Sequence, residues 1–372
     1  MTFLRGVRPR HRSIVSQLVL VGVLTLLIGE AYMRMPFVLP PLEYRADGEL
    51  GGRLAGNQVG YLWLANMSLK SRPITLNPDG HRGEATDWSH PVVLALGDSE
   101  WFGAGVDDSD VWTAVLERAL RSDPRLSGLS VVNASHPGHG PYHEYVVARR
   151  LLAAHDVEAL LVRVAIGQRY FKPVPVEQQA QLVRAAERRA IVRRVTKFGP
   201  FLYNKVEAQL PSIRAAMRPH FLAAGGGAGD GAAPVDVGRA MAREARTWWD
   251  QLADLATARQ IPVVFVVHDI EDRPSARALE ETLRAVASSH RGVYVVRLGP
   301  EAFGLERIGP AERARVIRER LTLGRDPHAN VEQHRLIASE ILRYLRQTEL
   351  TEAIERHARA RRGAPLAAAP PR

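Results

Sequence analysis

Five short apolar runs, Val92 to Leu96, Ser130 to Asn133, Ala159 to Ile166, Pro262 to Val267 and Val293 to Leu298, alternate along this chain with stretches of helical periodicity. The helical patterns lie near Val111 to Arg121, Tyr142 to His155, Arg243 to Arg259 and Ser275 to Ser289, and a last one runs from about Val331 to Tyr344. Strand-length runs of this kind are buried on both faces, and helices between them supply the cover. The pattern therefore predicts an α/β fold around a parallel, doubly wound sheet. A chain of 372 residues can bury the core that such a sheet needs.

One region breaks the rhythm. Residues 171–238 hold a charged helical stretch from Glu177 to Arg194, then Phe198, Phe201, Leu202 and Tyr203, then a Gly/Ala-rich run from Ala223 to Ala233 that reads as a loop. A mostly helical insertion between two core strands covers an active-site edge or docks a partner. Because it follows the third apolar run, it is expected to cap the carboxyl edge of the sheet. The organisation expected is a cytoplasmic N-terminus and membrane anchor over 1–35, a linker and lead-in over 36–90, and the α/β domain over 91–345. A helix end and disordered tail follow over 346–372.

The anchor rests on Arg5, Arg8, Arg10 and Arg12, which precede an uncharged, largely apolar run from Ile14 to Gly29. Glu30 and Arg34 close the run, Ala31-Tyr32-Met33 extends it, and Pro36 breaks it. The run is short for a span but crosses with local thinning of the bilayer, and the flanking arginines place the N-terminus in the cytoplasm and the domain outside. A cleaved signal peptide, with Gly29 and Ala31 as the small residues at its processing site, is the alternative.

The formal charge is +10, and lysine occurs only at 70, 172, 197 and 205. The arginine excess is spread over both termini and the stretch from Arg184 to Arg218, with no single basic face, so nucleic-acid binding is not expected. An anionic membrane surface is the better partner for terminal arginines. The absence of cysteine excludes disulfides, a thiolate nucleophile, a lipidated cysteine and cysteine-ligated zinc.

Chemistry enters at Gly97-Asp98-Ser99, directly after the first apolar run. A strand that ends there and turns into a helix presents a serine hydroxyl at the carboxyl edge, where open α/β sheets hold ligands. A serine nucleophile needs a base and a group that orients the base. His328, just before the last helix, is the best base, and Asp326, two residues upstream on one stiff loop with Pro327, can reach the opposite ring nitrogen. A turn or helix-capping role for Asp326 and a surface role for His328 are the bland alternatives. Oxyanion donors are the backbone N–H of Ser99, a glycine after the second strand (Gly138), and a side-chain amide after the third (Gln168). His136, His139 and His143 fall on a loop broken by Pro137, Gly138, Gly140 and Pro141. That loop lacks the regular spacing of a histidine metal site, so no metal is assigned. Trp101 and Phe102 either cover an acyl group or fill the core at the start of the helix. Trp248 and Trp249 are helix neighbours that cannot share a face.

In this order the blocks Asp79-Gly80-His81-Arg82-Gly83, Gly97-Asp98-Ser99, Asn133 to Gly140, the third strand, and Asp326-Pro327-His328-Ala329-Asn330 resemble the SGNH (GDSL) hydrolase superfamily, in particular its membrane-anchored extracytoplasmic members. The resemblance covers most of residues 77–345 outside the insertion. It implies a flavodoxin-like three-layer sandwich with Ser99 as nucleophile, His328 as base, Asp326 as its orienter, and the N–H groups of Ser99 and Gly138 in the oxyanion hole. It implies no cofactor. The third block departs from the family, which has Asn commonly followed by Asp where this chain has Gln168-Arg169. Glutamine carries the same amide on a longer stem, and losing one oxyanion donor slows an enzyme by ~100–1,000-fold without abolishing it. The function expected is a serine esterase acting on an acyl ester, glycan- or lipid-linked, outside the cytoplasm. Acyl transfer to a cell-surface glycan, or a catalytically degenerate domain that binds glycan or protein, are the alternatives.

Overall fold

The computed structural model describes residues 9–33, 42–45, 47–64, 69–164, 234–323 and 326–363. Five strands, β1 (Val92–Leu96), β2 (Ser130–Asn133), β3 (Ala159–Val164), β4 (Val263–His268) and β5 (Val293–Leu298), form one sheet in the order β5-β4-β3-β1-β2. Every pairing in it is parallel, with Val93 opposite Ala159 and Ala95 opposite Asn133. This is the flavodoxin-like order, and its direction reverses between β1 and β3, where ligands of such sheets bind.

The strands read as continuous apolar runs because both faces are covered. Val92, Leu94, Leu96, Leu160, Val162, Val263 and Phe265 point to one face and pack under α2 (Pro141–Ala154), α3 (Pro234–Thr257) and α4 (Pro274–Ser289). Their alternates Val93, Ala95, Leu161, Val264 and Val266 point to the other face. There they meet α1 (Trp112–Arg121) through Trp112 and Leu116, and α5 (Val331–Leu345) through Ile337 and Ile341. Each fully buried side chain of this size contributes about 1.5–3 kcal/mol. The expected three-layer α/β/α sandwich is therefore present.

The stretch read as linker and lead-in carries short antiparallel ribbons: Tyr44–Arg45 with Arg53–Leu54, Gln58–Gly60 with Ile74–Leu76, and Trp63–Leu64 with Leu69–Lys70. Leu42, Leu54, Ile74 and Leu76 close a small separate core with Phe102 and Ala104, so this lead-in packs directly behind the Gly97-Asp98-Ser99 turn. Beyond α5, a helix covers Thr348–Gly363. Most of the insertion expected over 171–238, including the proposed cap, and the tail after Gly363 lie outside the described residues.

The transmembrane expectation is corrected in one respect. A helix does run over Pro9–Met33, but among the described residues no helix is long and apolar enough to cross a membrane. At 1.5 Å per residue the uncharged run from Ile14 to Gly29 spans roughly 24 Å, short of the ~30 Å hydrocarbon core. Its apolar side chains, from Ile14 to Ile28, are exposed.

Candidate active site

The turn after β1 is built to hold a serine. Asp98 caps the one-turn helix Ser99–Phe102, accepting from the Glu100 N–H at 3.0 Å, and Gly103 at φ +80° ends it. Trp101 and Phe102 are fully buried, Trp101 against the sheet and α1 and Phe102 in the lead-in core. Both aromatics are thus core anchors that grip the turn from two sides, and they do not cover a substrate. Gly97 lets three chain segments approach closely. A Cβ there would lie 3.0 Å from that of Trp101 and 3.1 Å from that of Arg163.

The base arrives from the far end of the chain. His328 lies on the strand Asp326–Ala329, which pairs antiparallel with Thr322–Leu323. Asn330 follows it and caps α5, accepting from the Gln333 N–H at 3.1 Å, while its amide donates to the carbonyls of Arg320 (2.7 Å) and Thr322 (3.3 Å). The ribbon is therefore pinned at the residues flanking His328. The result is decisive: His328 Nε2 lies 2.9 Å from Ser99 Oγ. With its proton on Nδ1, the neutral ring accepts the serine O–H at Nε2.

Not every expected member can be placed. Asp326 is two residues before His328 on the same strand, but its side chain is outside the described part, as is all of Gln168. Gly138 has φ +84°, and its loop is tied to the end of β1 by the His136 N–H, which donates to the Gly97 carbonyl at 2.9 Å.

His136, His139 and His143, all expected on a loop, form a buried stack, and His143 lies in the first turn of α2. Ring centroids are 4.2 and 4.9 Å apart and ring planes lie within 19° and 12°. His136 Nε2 accepts from the Leu54 N–H at 3.1 Å, so its Nδ1 carries the proton toward the Pro137 carbonyl at 2.9 Å. Among the described residues no cluster of histidine and carboxylate side chains is arranged to hold a metal.

Two arginines carry weight that the sequence reading did not assign. Arg82, from the Asp79-Gly80-His81-Arg82-Gly83 stretch, is buried and donates to Asp108 at 2.9 Å and to the carbonyls of Phe102 (2.8 Å), Gly103 and Val106 (2.6 Å). It clamps the chain just after the nucleophile turn. Arg163, on β3, pairs with Asp98 and Glu100, the neighbours of Ser99. The available signal was a lone arginine inside an otherwise apolar strand run, a position that demands a buried partner.

Two further histidines are held neutral by the same burial. Desolvation pushes His268 and His334 down to about 3, reinforced by Arg163 for His268 and Arg82 for His334. Both pKa values lie below the unfolded value near 6.5, so between about 3 and 6.5 the unfolded chain binds more protons. Their contribution is fully present above 6.5 and is lost as pH falls through that window. At pH 5.5 the loss is roughly 1–2 kcal/mol per histidine relative to pH 7.5. Urea unfolding at pH 7.5 and 5.5 should differ by about 3 kcal/mol from this pair; equal stability at the two pH values would contradict neutral burial.

No family model matches the chain, and no curated protein matches it. Solved structures do. A putative lipolytic protein of the G-D-S-L family from Desulfitobacterium hafniense DCB-2 matches at a TM-score of 0.37 and 12% identity, covering 68% of this chain and 98% of that one. AlinE4, an SGNH-hydrolase family esterase, matches at 0.31 and 15% identity, covering 56% and 75%. Axe2, an acetyl-xylooligosaccharide esterase from Geobacillus, matches at 0.38 and 15% identity, covering 69% and 94%. With TM-scores below 0.5 these likenesses carry no argument about this chain's chemistry. The chemistry is carried by the contact between Ser99 and His328.

Proposed function

We infer that the chain is a serine esterase of the SGNH type, attached to a membrane and acting on an acyl ester outside the cytoplasm. The observation that carries this reading is the 2.9 Å approach of His328 Nε2 to Ser99 Oγ across a separation of 229 residues. A hydroxyl is a weak nucleophile at neutral pH, and a base within hydrogen-bond reach is what activates it.

Ser99 Oγ bonds to the ester carbonyl carbon while His328 Nε2 takes the hydroxyl proton. The tetrahedral oxyanion collapses, the ester C–O bond breaks, and the alcohol leaves with the proton from His328. Water then attacks the acyl-serine, His328 accepts its proton, and the acid departs as Ser99 is reprotonated. The N–H groups of Ser99 and Gly138 are the donors assigned to the oxyanion, a role supported by the bare backbone of Gly138 at positive φ. Gln168 is assigned as third donor from its place after β3, and Asp326 as the group that orients His328 from two residues away. Acyl transfer to a glycan hydroxyl would use the same acyl-enzyme with the glycan in place of water.

Attachment is supported by the exposed apolar surface of the helix Pro9–Met33 and by the arginines that precede its apolar run, which favour the cytoplasmic side. A bilayer thinned around the short run accommodates it. One preparation tests both parts of the reading. Membranes from cells making the chain, washed with alkaline carbonate, are assayed with p-nitrophenyl acetate beside membranes carrying Ser99→Ala. Hydrolysis retained in the washed membranes and missing from the variant is the expected result. Absence of hydrolysis overturns the esterase, and release of the chain into the wash overturns the attachment.

A further inference from the structure

A single helical turn cannot hold a nucleophile in place by itself. Nucleating a helix fixes several backbone dihedrals for one hydrogen bond, so the four residues Ser99–Phe102 depend on tertiary anchors. The aromatic anchors act from Trp101 onward. What fixes the residues on either side of Ser99 is a polar device beneath it.

We propose that Arg163 is the positioning residue for the nucleophile: its guanidinium grips both neighbours of Ser99 and, through His268 and Gln333, ties them to the helix that follows His328. Arg163 stands on β3, whose register with β1 sets Leu96 opposite Val162, and the bare Gly97 lets its stem approach. Nη1 donates to Asp98 and Nη2 to Glu100. Nη2 also lies 3.4 Å from His268 Nδ1, on the last residue of β4. His268 Nε2 is in turn 3.2 Å from the amide of Gln333, in the first turn of α5.

The protonation states agree with this chain of contacts. Arginine only donates, so His268 Nδ1 accepts and Nε2 carries the hydrogen. The Gln333 amide, placed with its nitrogen toward Nε2, is assigned the reverse orientation, in which its oxygen, otherwise buried without a partner, accepts from Nε2–H. Burial keeps His268 neutral in this role. The arginine side chain is only 4% exposed, against 20% and 21% for Asp98 and Glu100. Burying a guanidinium is costly, and apolar side chains commonly fill such space with equal or better stability, so stability alone is a poor reason for it. Holding two carboxylates at once, one on each side of a serine, is what a planar two-pronged donor does and an ammonium does not.

The two halves of the catalytic pair come from opposite ends of the domain, with Ser99 and His328 229 positions apart. The network bridges that gap through the chain neighbours of Ser99 and the helix after His328. Its expected signature is a change in chemical rate without a change in substrate binding. A displacement of about 1 Å at a reacting group costs on the order of 100-fold in rate.

The inference rests on the esterase reading for its kinetic readout alone. The test uses the full chain purified in detergent, with a fluorophosphonate probe for the rate of Ser99 modification and p-nitrophenyl acetate for kcat and KM. Arg163→Met is expected to lower both the labelling rate and kcat by about 100-fold with KM within about twofold. Arg163→Lys, with one prong, should recover less than a tenth of the lost rate. A purely structural role would lower the thermal midpoint yet leave the labelling rate of the folded protein unchanged, and that result overturns the proposal. If Arg163→Met does not fold, Glu100→Ala decides instead: labelling at least tenfold slower supports the proposal, and labelling at the wild-type rate overturns it. If the wild type takes no probe, the esterase reading fails separately. Hydrogen exchange then reads the network, with amides 97–103 exchanging at least tenfold faster in Glu100→Ala while α1 and α5 keep wild-type protection. Unchanged exchange at 97–103 overturns the proposal in that case.

Discussion

Ser99→Ala is expected to lower kcat for p-nitrophenyl acetate by on the order of 10⁴- to 10⁶-fold while the fold and thermal midpoint stay close to wild type. Serine and histidine act as one unit here, with His328 Nε2 2.9 Å from Ser99 Oγ. His328→Ala should therefore cost a similar factor, and the double variant should be hardly slower than either single one. Whatever acceleration remains comes from the oxyanion donors and from binding. Steady-state kinetics on the four proteins, from wild type to double variant, provides the check. Losses that multiply in the double variant would mean that the two side chains act independently, contrary to the proposed proton transfer.

The second large effect concerns stability. Arg82→Met is expected to destabilise the domain by about 3–5 kcal/mol, because it leaves three buried carbonyls and the partly exposed Asp108 without the donor that satisfied them. Arg82 has no side-chain exposure and Asp108, its counter-ion, is 31% exposed. The carbonyls of Phe102, Gly103 and Val106 converge on the same guanidinium. Methionine matches the stem and offers none of those donors. Lysine retains the charge but cannot reach three carbonyls and a carboxylate at once. The effect is read from urea unfolding midpoints at pH 7.5, and a shift equivalent to less than about 1 kcal/mol would show that the clamp is dispensable. Since the clamped segment continues directly from the Ser99–Phe102 turn, the folded fraction of Arg82→Met should also react more slowly.

The two arginines show where legibility in the sequence ends. The sheet was readable because each strand is buried on both faces, so its residues form unbroken apolar runs from Val92 to Leu96 or from Val263 to Val267. Ser99 and His328 were legible as candidates because a turn residue after a strand and a histidine before a helix are local features, while their pairing across 229 positions was an expectation carried by the resemblance. The lead-in ribbons were not. Strands of two or three residues such as Tyr44–Arg45 and Arg53–Leu54 carry no periodicity, and turn-forming residues dominate between them. Nor were the partners of Arg163, which lie 65 positions away at Asp98 and 105 positions away at His268. The lone arginine in β3 announced that partners exist, while only the fold says which. Trp101 and Phe102 were ambiguous for a different reason: an aromatic at a site edge and one in a core look alike until burial is known. The N-terminal helix formed where the apolar run lies, and the shortness of that run for a full span was legible from its length.

The most direct measurement is peptide mapping by mass spectrometry after the full chain, in detergent, reacts with a fluorophosphonate. The account predicts one phosphonylated site, Ser99, in the wild type, with the adduct lost in Ser99→Ala and formed far more slowly in His328→Ala. A folded wild-type chain that takes no adduct, or takes it at another residue, would contradict it.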